Sequence, residues 1–322
     1  KQASVAGGVD SHIQDINFSN IKTNTISFGG FTDSETDGEG DLIIDNVLFT
    51  DSTFNSPDSL IGKSFKLKLI FIMYFLNQYF NIVTNKYSYS GMSKIIIQNT
   101  NFTDLTFTKF GNLMELTHNA KQPIMIDNVN FINIYGAGIY MEPQDIFDKE
   151  NPLTLSVSSC IFQDNTPWVA GFINVFENSI VTIEDSTFDN MYSTGSGSVI
   201  LANYKENSIT ISNSNFTNNY AILGGVFYSQ FSSSITCNSF MFENNIAIRG
   251  GLAFLNSNGK IILNNSTITK NQALNAPVLY ISACQADYSI LSESDVFENN
   301  IITMDQLLNK NGTGLDHIHG DY

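Results

Sequence analysis

The densest group of metal-binding side chains in the sequence is an acidic segment in the first fifty residues. Its carboxylates stand at alternate positions: Asp33, Glu35, Asp37, Glu39 and Asp41. Calcium takes about six to eight oxygen ligands, many from carboxylates, and Gly38 would allow the sharp turn of an EF-hand-like loop. The segment therefore predicts a candidate calcium site. Ile44 stands where such a loop needs its bidentate glutamate, so a plain acidic turn is the alternative.

Asparagine glycosylation is a second chemistry that the spacing allows. The acceptor sequence Asn-X-Ser/Thr occurs at Asn17, Asn101, Asn215, Asn264, Asn265 and Asn311. Such sequences also arise by chance in a chain rich in Asn, Ser and Thr. They predict glycosylation on the condition that the chain enters the secretory pathway.

The remaining reactive side chains are scattered. Cys160, Cys237 and Cys284 are too few and too far apart for a disulfide framework or a zinc site, and the first two are expected to be buried thiols. His317 and His319 lie in a polar C-terminal segment, which favours a terminal cluster over a metal site. Trp168 has two interpretations, a platform for stacking sugars or a loop aromatic packed on the fold.

The elements that position these groups are set by a repeat. Its anchor is a phenylalanine, replaced once by isoleucine, which follows an apolar alternation and precedes Asn or Asp in nearly every copy. The anchors are Phe18, Phe49, Phe102, Phe131, Phe162, Phe188, Phe216, Phe242, Ile268 and Phe297. Their spacings are 31, 53, 29, 31, 26, 28, 26, 26 and 29 residues. With one exception, each spacing is one supersecondary unit of a solenoid.

Equivalent positions of the repeat show which conformation each must adopt. Apolar residues stand seven and five positions before the anchor, such as Val181 and Ile183, and so share one face of a strand. Asn, Asp or Ser stands three before it, and Asn or Asp usually stands two after it, which predicts two bends. Small residues follow eight or nine positions after most anchors. Each repeat therefore contains three short strands, and no segment has a helical period.

This pattern predicts an all-β fold, a parallel β-helix of about ten coils of 26–31 residues. Successive coils lie about 4.8 Å apart, so equivalent residues are stacked. Phenylalanine would stack on phenylalanine inside, and asparagine amides would form a ladder at the corner. Ten coils would make a rod about 50 Å long.

The repeat also resembles a known family. The segments Phe216-Thr-Asn-Asn219 with Gly224-Gly225-Val226, and Phe242-Glu-Asn-Asn245 with Gly250-Gly251-Leu252, are similar to the paired FxxN and GGA(I/L/V) repeats of polymorphic outer-membrane proteins. Those proteins belong to the pectin-lyase-like superfamily, and similar repeats occur in very large surface proteins of ciliates. The resemblance is best over residues 155–300. It implies a right-handed β-helix and a surface or adhesive role, without implying catalysis.

The domain organisation follows from the repeat. Residues 1–308 are predicted to form one β-helix domain and residues 309–322 a polar tail. The spacing of 53 between Phe49 and Phe102 predicts an irregular insertion at 63–86. A hidden coil, or an untranslated stretch kept in the deduced sequence, would also explain it. Its apolar run is too short for a membrane span, which needs about 20 residues. The start at Lys1 without Met predicts that a longer polypeptide precedes it.

Charge and side-chain chemistry limit the function. The formal net charge is −16, and Arg249 is the single arginine, so nucleic-acid binding is excluded and divalent cations or basic partners fit better. Four positions before the anchor, an outward row carries acids at Asp45, Asp127, Glu184 and Glu293. Neutral residues interrupt this row at Gln98, Ser158, Ser212, Asn238 and Asn264. A solvated stripe is therefore favoured over the paired carboxylates of a glycosidase or the calcium and base of a lyase.

These observations favour a noncatalytic structural or adhesive rod, a segment of a larger cell-surface or extracellular protein. Its partners would be proteins or glycans, and calcium is the one cofactor that the sequence suggests. A β-helix that binds or cleaves carbohydrate is the first alternative. A scaffold component of a large intracellular assembly is the second.

Overall fold

The chain forms strands and turns throughout the residues that the structure, a computed structural model, describes. These residues are 11–19, 22–23, 40–54, 81–84, 92–107, 112–116, 123–142, 152–167, 170–203, 205–282, 288–290, 295–302 and 318–320. Within them no segment is helical. The predicted all-β class is confirmed.

The first sheet contains ten strands, and each strand precedes one anchor. In spatial order they are β1 (Ser11–Gln14), β4 (Gly40–Asp45), β7 (Met92–Gln98), β10 (Ile124–Asp127), β13 (Leu153–Ser158), β16 (Ser179–Glu184), β19 (Ser208–Ser212), β23 (Ser234–Asn238), β27 (Lys260–Asn264) and β31 (Tyr288–Ile290). Strands that are neighbours in space are separated by a whole repeat in sequence. This order is that of a solenoid.

The second sheet carries the anchors. Its strands are β2 (Asn17–Ser19), β5 (Leu48–Phe54), β8 (Asn101–Phe107), β11 (Asn130–Tyr135), β14 (Ile161–Gln163), β17 (Thr187–Asp189), β20 (Asn215–Thr217), β24 (Met241–Glu243), β28 (Thr267–Thr269) and β32 (Val296–Glu298), with β3 (Lys22–Thr23) also paired to β5. All of the strand pairs among the described residues of this sheet are parallel.

Two further sheets complete the coil. The third contains β6 (Asn81–Thr84), β9 (Asn112–Leu116), β12 (Ile139–Met141), β15 (Ile173–Val175), β18 (Ile200–Ala202), β22 (Phe227–Gln230), β26 (Ala253–Asn256), β30 (Leu279–Ile281) and β34 (Ile318–Gly320). The fourth contains β21 (Tyr220–Leu223), β25 (Ile246–Arg249), β29 (Gln272–Asn275) and β33 (Ile301–Ile302). Each repeat was predicted to hold three strands, so this short fourth sheet is an addition. In its first three strands a buried alanine, Ala221, Ala247 or Ala273, lets the backbone lie close to the core.

Equivalent residues of successive turns lie directly opposite one another. Phe188 pairs with Phe162 on one side and with Phe216 on the other. The ring centroids are 4.4 Å and 4.9 Å apart, with interplanar angles of 8° and 4°. These distances are close to the usual spacing of paired strands, about 4.8 Å. The predicted stack of phenylalanines inside a parallel solenoid is therefore confirmed.

The solenoid has about seven turns, against the ten coils predicted. The strands from β7 to β30 make up seven turns, and β4, β5 and β6 at one end and β31, β32 and β34 at the other add strands of turns that lie partly outside the described residues. One hydrophobic core runs through the coil. The anchors fill it together with residues such as Val181, Ile183 and Ile173, all 0% exposed.

The bends fall at the predicted positions. Three residues before the anchor, φ is 48° at Asn99, 51° at Asn128 and 50° at Asp185; two residues after it, φ is 54° at Asp104 and 52° at Asn190. This left-handed conformation costs most residues about 1 kcal/mol or more, and Asn and Asp tolerate it because their side chains bond locally. The predicted corner ladder also forms. For example, Asn128 Nδ2 donates to Asn99 Oδ1 at 2.8 Å.

A second asparagine ladder, which the sequence analysis missed, lies inside the coil three residues after the anchor. Asn219 Nδ2 donates to Asn245 Oδ1 at 2.9 Å, and Asn245 Nδ2 donates to Asn271 Oδ1 at 2.9 Å. Asn271 Nδ2 then donates to Asn300 Oδ1 at 3.0 Å. All four residues are at most 1% exposed. Their amides satisfy the backbone groups that a buried bend would leave without partners.

Glycine is required where the backbone of one turn approaches the next. A Cβ atom on Gly225 would lie 2.1 Å from the carbonyl oxygen of Gly251, and one on Gly251 would lie 2.1 Å from that of Pro277. Each Cβ would overlap backbone atoms that cannot move independently. The Gly-Gly pairs of the repeat therefore mark the place where turns lie closest.

Two segments singled out from the sequence contribute short strands. Strand β6 lies within 63–86 and pairs in parallel with β9, and the rest of that segment lies outside the described residues. Strand β34 lies within 309–322 and pairs with β30. The boundaries predicted for the insertion and the tail stay predictions.

Candidate functional site

The outward carboxylates of the first sheet occupy alternate turns. Asp127 lies opposite Gln98 in one neighbouring turn and Ser158 in the other. Asp45 and Glu184 lie one turn further out on either side. Two turns span about 9.6 Å, well beyond the separation of about 5–5.5 Å in retaining glycosidases and at the upper limit of about 6.5–9.5 Å in inverting ones. The spacing of the row does not fit the retaining geometry.

Other carboxylates are engaged in the corner ladders. Asp164 Oδ1 accepts a hydrogen bond from Asn190 Nδ2 at 2.6 Å. Asp189 Oδ1 accepts from Thr217 Oγ1 at 2.5 Å and from Asn218 Nδ2 at 2.8 Å. These contacts are those of a solvated face whose acids stabilise the bends.

Several candidate sites fall outside the described residues. They are the acidic positions Asp33, Glu35, Asp37 and Glu39, and also Glu293, Asn311, Cys284, Trp168 and His317. The backbone of Asp41 pairs with Lys94 just after a register shift between β4 and β7, and His319 lies in β34. The described part of the chain contains no group of three or more His, Cys, Asp or Glu placed to hold a metal ion. Calcium binding stays a prediction.

The glycosylation candidates differ in their surroundings. Asn17 and Asn215 are exposed on the outer face of the second sheet, and Asn265 is exposed at a bend with φ of 51°. Asn101 Oδ1 accepts from Asn130 Nδ2 at 2.6 Å, and Asn264 Nδ2 donates to Asn238 Oδ1 at 2.9 Å. A glycan attaches to Nδ2, so on Asn264 it would interrupt a ladder, and the Nδ2 of Asn265 likewise donates to Ser239 Oγ at 3.1 Å. If the chain is glycosylated, Asn17 and Asn215 are the sites that the fold accommodates best.

The two described cysteines are buried free thiols, as predicted. Desolvation by burial raises the pKa of Cys160 from its ordinary 9.0 to about 11, against smaller opposing contributions from backbone hydrogen bonds with Val129, Ser158 and Asn128. Burial also raises the pKa of Cys237, whose side chain lies wholly inside the core. Both groups are therefore neutral thiols at physiological pH.

We expect Cys160 and Cys237 to resist iodoacetamide at pH 8 in the native protein and to react fully in guanidinium. Because burial disfavours both thiolates, the free energy of unfolding is highest below the ordinary thiol pKa of 9.0 and falls as pH rises from there through the raised pKa values of the folded state. Peptide mass spectrometry of the labelled protein measures both sites. Rapid labelling of Cys237 in the native state would contradict its place in the core.

The most unusual outer surface is apolar and begins four residues after the anchor. We name it the tyrosine–isoleucine stripe. One column, one residue per turn, is Tyr135, Thr166, Tyr192, Tyr220, Ile246, Gln272 and Ile301, and a second column two residues later is Ile222, Ile248 and Leu274. Outward positions of a solenoid are normally polar. An exposed apolar array of this kind is a candidate contact surface.

The stripe is held by regular backbone pairing. Parallel bridges join Tyr135 to Thr166 and Tyr192 to Tyr220, and Tyr192 N–H donates to Asn165 O at 2.9 Å. The side chains are 46% exposed at Tyr135 and 44% at Tyr192. The Tyr192 and Tyr220 rings stack with centroids 5.0 Å apart and an interplanar angle of 11°. The stripe therefore presents aromatic and aliphatic groups in register along the axis.

A neighbouring aromatic ladder is covered and contributes to stability instead. Phe254 stacks between Tyr228 and Tyr280 on the outer side of the third sheet, with centroid distances of 5.3 Å and 5.0 Å. The three side chains are 9% exposed or less and pack with Leu223. The guanidinium carbon of Arg249 lies 5.2 Å from the Tyr280 ring centroid, a cation–π distance. The single arginine therefore helps to cover this ladder.

Comparison of the chain with protein-family models, curated proteins and solved structures gives no match. The resemblance to polymorphic outer-membrane repeats therefore rests on the motifs themselves and on the solenoid.

No helix long and apolar enough to cross a membrane occurs in the described part of the chain.

The stripe could have been found from the sequence. Tyr135, Tyr192 and Tyr220 all stand four positions after an anchor, an alignment column beyond the second bend. The alternation of Tyr220 with Ile222, and of Ile246 with Ile248, is an apolar period of two on a face that the three-strand repeat leaves unassigned. The fourth sheet places these alternating apolar residues on one outward face.

Proposed function

We propose that the protein is a noncatalytic structural rod that presents its outer faces to other molecules, as a segment of a cell-surface or extracellular protein. The observation that carries this proposal is the continuous core stacked through successive turns. Such a core makes the coil stiff and extended, because each turn is fixed by both of its neighbours. The stacked turns therefore present a long, regular outer face to which partners could bind.

Two further observations support a noncatalytic role. The described outward acids of the first sheet are separated by neutral residues, and the acids at the corners accept hydrogen bonds from ladder amides. The FxxN and GGxx motifs favour the surface location, since the repeats they resemble belong to surface proteins. An intracellular scaffold is the competing assignment.

Peptide mass spectrometry of the native protein tests the location. We expect N-glycans on at least one of Asn17 and Asn215, the exposed acceptors of the second sheet. Asn264 is the internal comparison, because its amide is bound in a ladder and its sequon hydroxyl, on Ser266, is 2% exposed. Unmodified asparagines at all of these positions, together with an intracellular location of the protein, would favour the scaffold.

Incubation with polygalacturonate, with and without calcium, tests the absence of catalysis. We expect no release of unsaturated or reducing ends above the background of the buffer. Turnover that disappears on replacing Asp127 with asparagine would overturn the noncatalytic assignment, because Asp127 lies on the outward carboxylate row. The replacement Asp189→Asn, in a corner ladder, is the matched control.

Carbohydrate binding is a second candidate function. The tyrosine–isoleucine stripe favours it, since exposed aromatic side chains combine an apolar ring with a polar edge. Binding by this surface requires no catalytic group and is compatible with a structural rod.

A further inference from the structure

We propose that the tyrosine–isoleucine stripe binds a single chain of neutral polysaccharide lying along the axis of the rod. This inference rests on the proposed function, because it names the partner that one outer face of the rod would contact. It goes beyond that function in assigning a surface, a ligand chemistry and an orientation.

The charge of the stripe selects for a neutral ligand. The outward side chains of both columns are aromatic, aliphatic, hydroxyl or amide groups, without a formal charge. The chain as a whole carries −16, so an acidic polymer would be repelled. Arg249, the charged residue of the fourth sheet, lies over the ring of Tyr280 beside the third sheet. A neutral polymer is not repelled by the net negative charge of the chain and would bury no unpaired charge on this surface.

The dimensions of the stripe favour a linear ligand. The column from Tyr135 to Ile301 spans six turn spacings of about 4.8 Å, or about 29 Å in length. Where the second column is present, over three turns, the two columns with their side chains make a width of about 10 Å. The resulting area is below about 300 Å², whereas a stable protein interface buries about 800 Å² on each partner. The stripe alone is too narrow for a second copy or a globular protein.

An extended peptide fits the same width but not the same chemistry. Its backbone amides would lose water against side chains that offer few hydrogen-bonding groups, since the backbone of the stripe is already paired within the sheet. A peptide strand also repeats at about 3.3 Å per residue, out of step with turns about 4.8 Å apart. A sugar ring instead has C–H groups on its faces and hydroxyls around its rim. It can cover an apolar surface while its hydroxyls stay in water.

Tyr192 is the central contact of this surface. One face of its ring stacks on Tyr220 in the next turn, so both rings face along the axis and turn their edges outward. A sugar of a chain lying along the axis would contact the outer edge of the Tyr192 ring. Gln272, three turns from Tyr192 in the same column, supplies an amide for a later sugar of the chain. The rows of Ile222 and Ile248 complete the apolar floor.

Sedimentation with insoluble polysaccharides tests the proposal. The full chain is mixed with microcrystalline cellulose, chitin or β-1,3-glucan, and polygalacturonate beads serve as the acidic comparison. We expect at least one neutral polysaccharide to remove the protein from solution. The Tyr192→Ala variant should bind about tenfold more weakly because it lacks the stacking ring. Tyr192→Phe, which keeps the ring, should bind within about twofold of the parent.

Phe231→Ala is the matched control, because Phe231 is 40% exposed at the end of the third-sheet strand and lies outside the stripe. Thermal unfolding of each variant separates a binding effect from a folding defect. If Tyr192→Ala is unstable, Tyr135→Ala is the second test, because Tyr135 is the other strongly exposed ring of the stripe and its removal should also weaken binding. Equal binding by wild type and a folded Tyr192→Ala variant would overturn the inference. So would a protein that binds polygalacturonate alone, or one that binds none of the neutral polysaccharides. If the protein carries N-glycans but binds none of the neutral polysaccharides, this inference fails while the proposal of a surface rod stands.

Discussion

Replacing Asn245 with alanine is expected to lower the free energy of unfolding by about 3–5 kcal/mol. The side chain takes part in four hydrogen bonds inside the core. Its Nδ2 donates to Phe216 O at 3.0 Å and to Asn271 Oδ1 at 2.9 Å, and its Oδ1 accepts from the backbone N and the Nδ2 of Asn219 at 3.0 Å and 2.9 Å. A buried polar group left without a partner costs about 1–3 kcal/mol, and here several are left at once.

Urea unfolding followed by circular dichroism measures this effect, and Asn244→Ala is the matched control. Asn244 is the preceding residue and belongs to the corner ladder, where its Nδ2 donates to Asn218 Oδ1 at 2.7 Å. Water can replace that bond, but Asn244 has a φ of 57°, which strains an alanine, so we expect a loss of about 1–2 kcal/mol, still below that of Asn245→Ala. Asn245→Leu restores most of the volume without the hydrogen bonds. If Asn245→Leu were as stable as wild type, the ladder would contribute packing rather than polar satisfaction.

The buried ladder shows where sequence reasoning reached its limit. The corner positions were recognised because Asn, Asp and Ser recur there and share one physical property, tolerance of positive φ. The next residue after the second bend is Asn219, Asn245, Asn271 or Asn300 in the later turns, but Asn165 is its only counterpart in earlier described turns, where Ser52, Leu105 and Ile134 also occur. The recurrence of asparagine at this position was therefore obscured, because some turns place an apolar residue or serine there instead. Only the structure shows that the bend is buried and that its backbone groups need the asparagine amides as partners.

The stacking register was predictable for a different reason. Each turn must bury the same column as its neighbours, and a shift of one residue would move Phe188 and Ile183 from the core to the surface. That constraint fixes the pairing of every anchor. It does not specify outward faces, since polar and apolar side chains are both compatible with the register. The tyrosine–isoleucine stripe was missed because its residues are not needed to build the coil.

Replacing Phe188 with alanine is expected to cost about 3–5 kcal/mol of unfolding free energy. The ring is 0% exposed and stacks on Phe162 and Phe216 in the turns on either side. Its removal leaves a cavity that both neighbouring turns line. Because stability in a solenoid is held largely in the contacts between adjacent turns, one substitution weakens two interfaces. Thermal and urea unfolding should both show the loss.

Phe188→Ile separates the volume of the ring from its stacking. The chain itself places Ile268 at the anchor position between Phe242 and Phe297, so the column accepts a branched aliphatic residue. We therefore expect Phe188→Ile to cost about 1.5 kcal/mol or less, well below the alanine variant. Phe176→Ala is the control, since that ring is half-buried outside the core and contacts Tyr140 at a centroid distance of 4.7 Å. If the isoleucine and alanine variants lost equal stability, ring stacking rather than filled volume would hold the turns together.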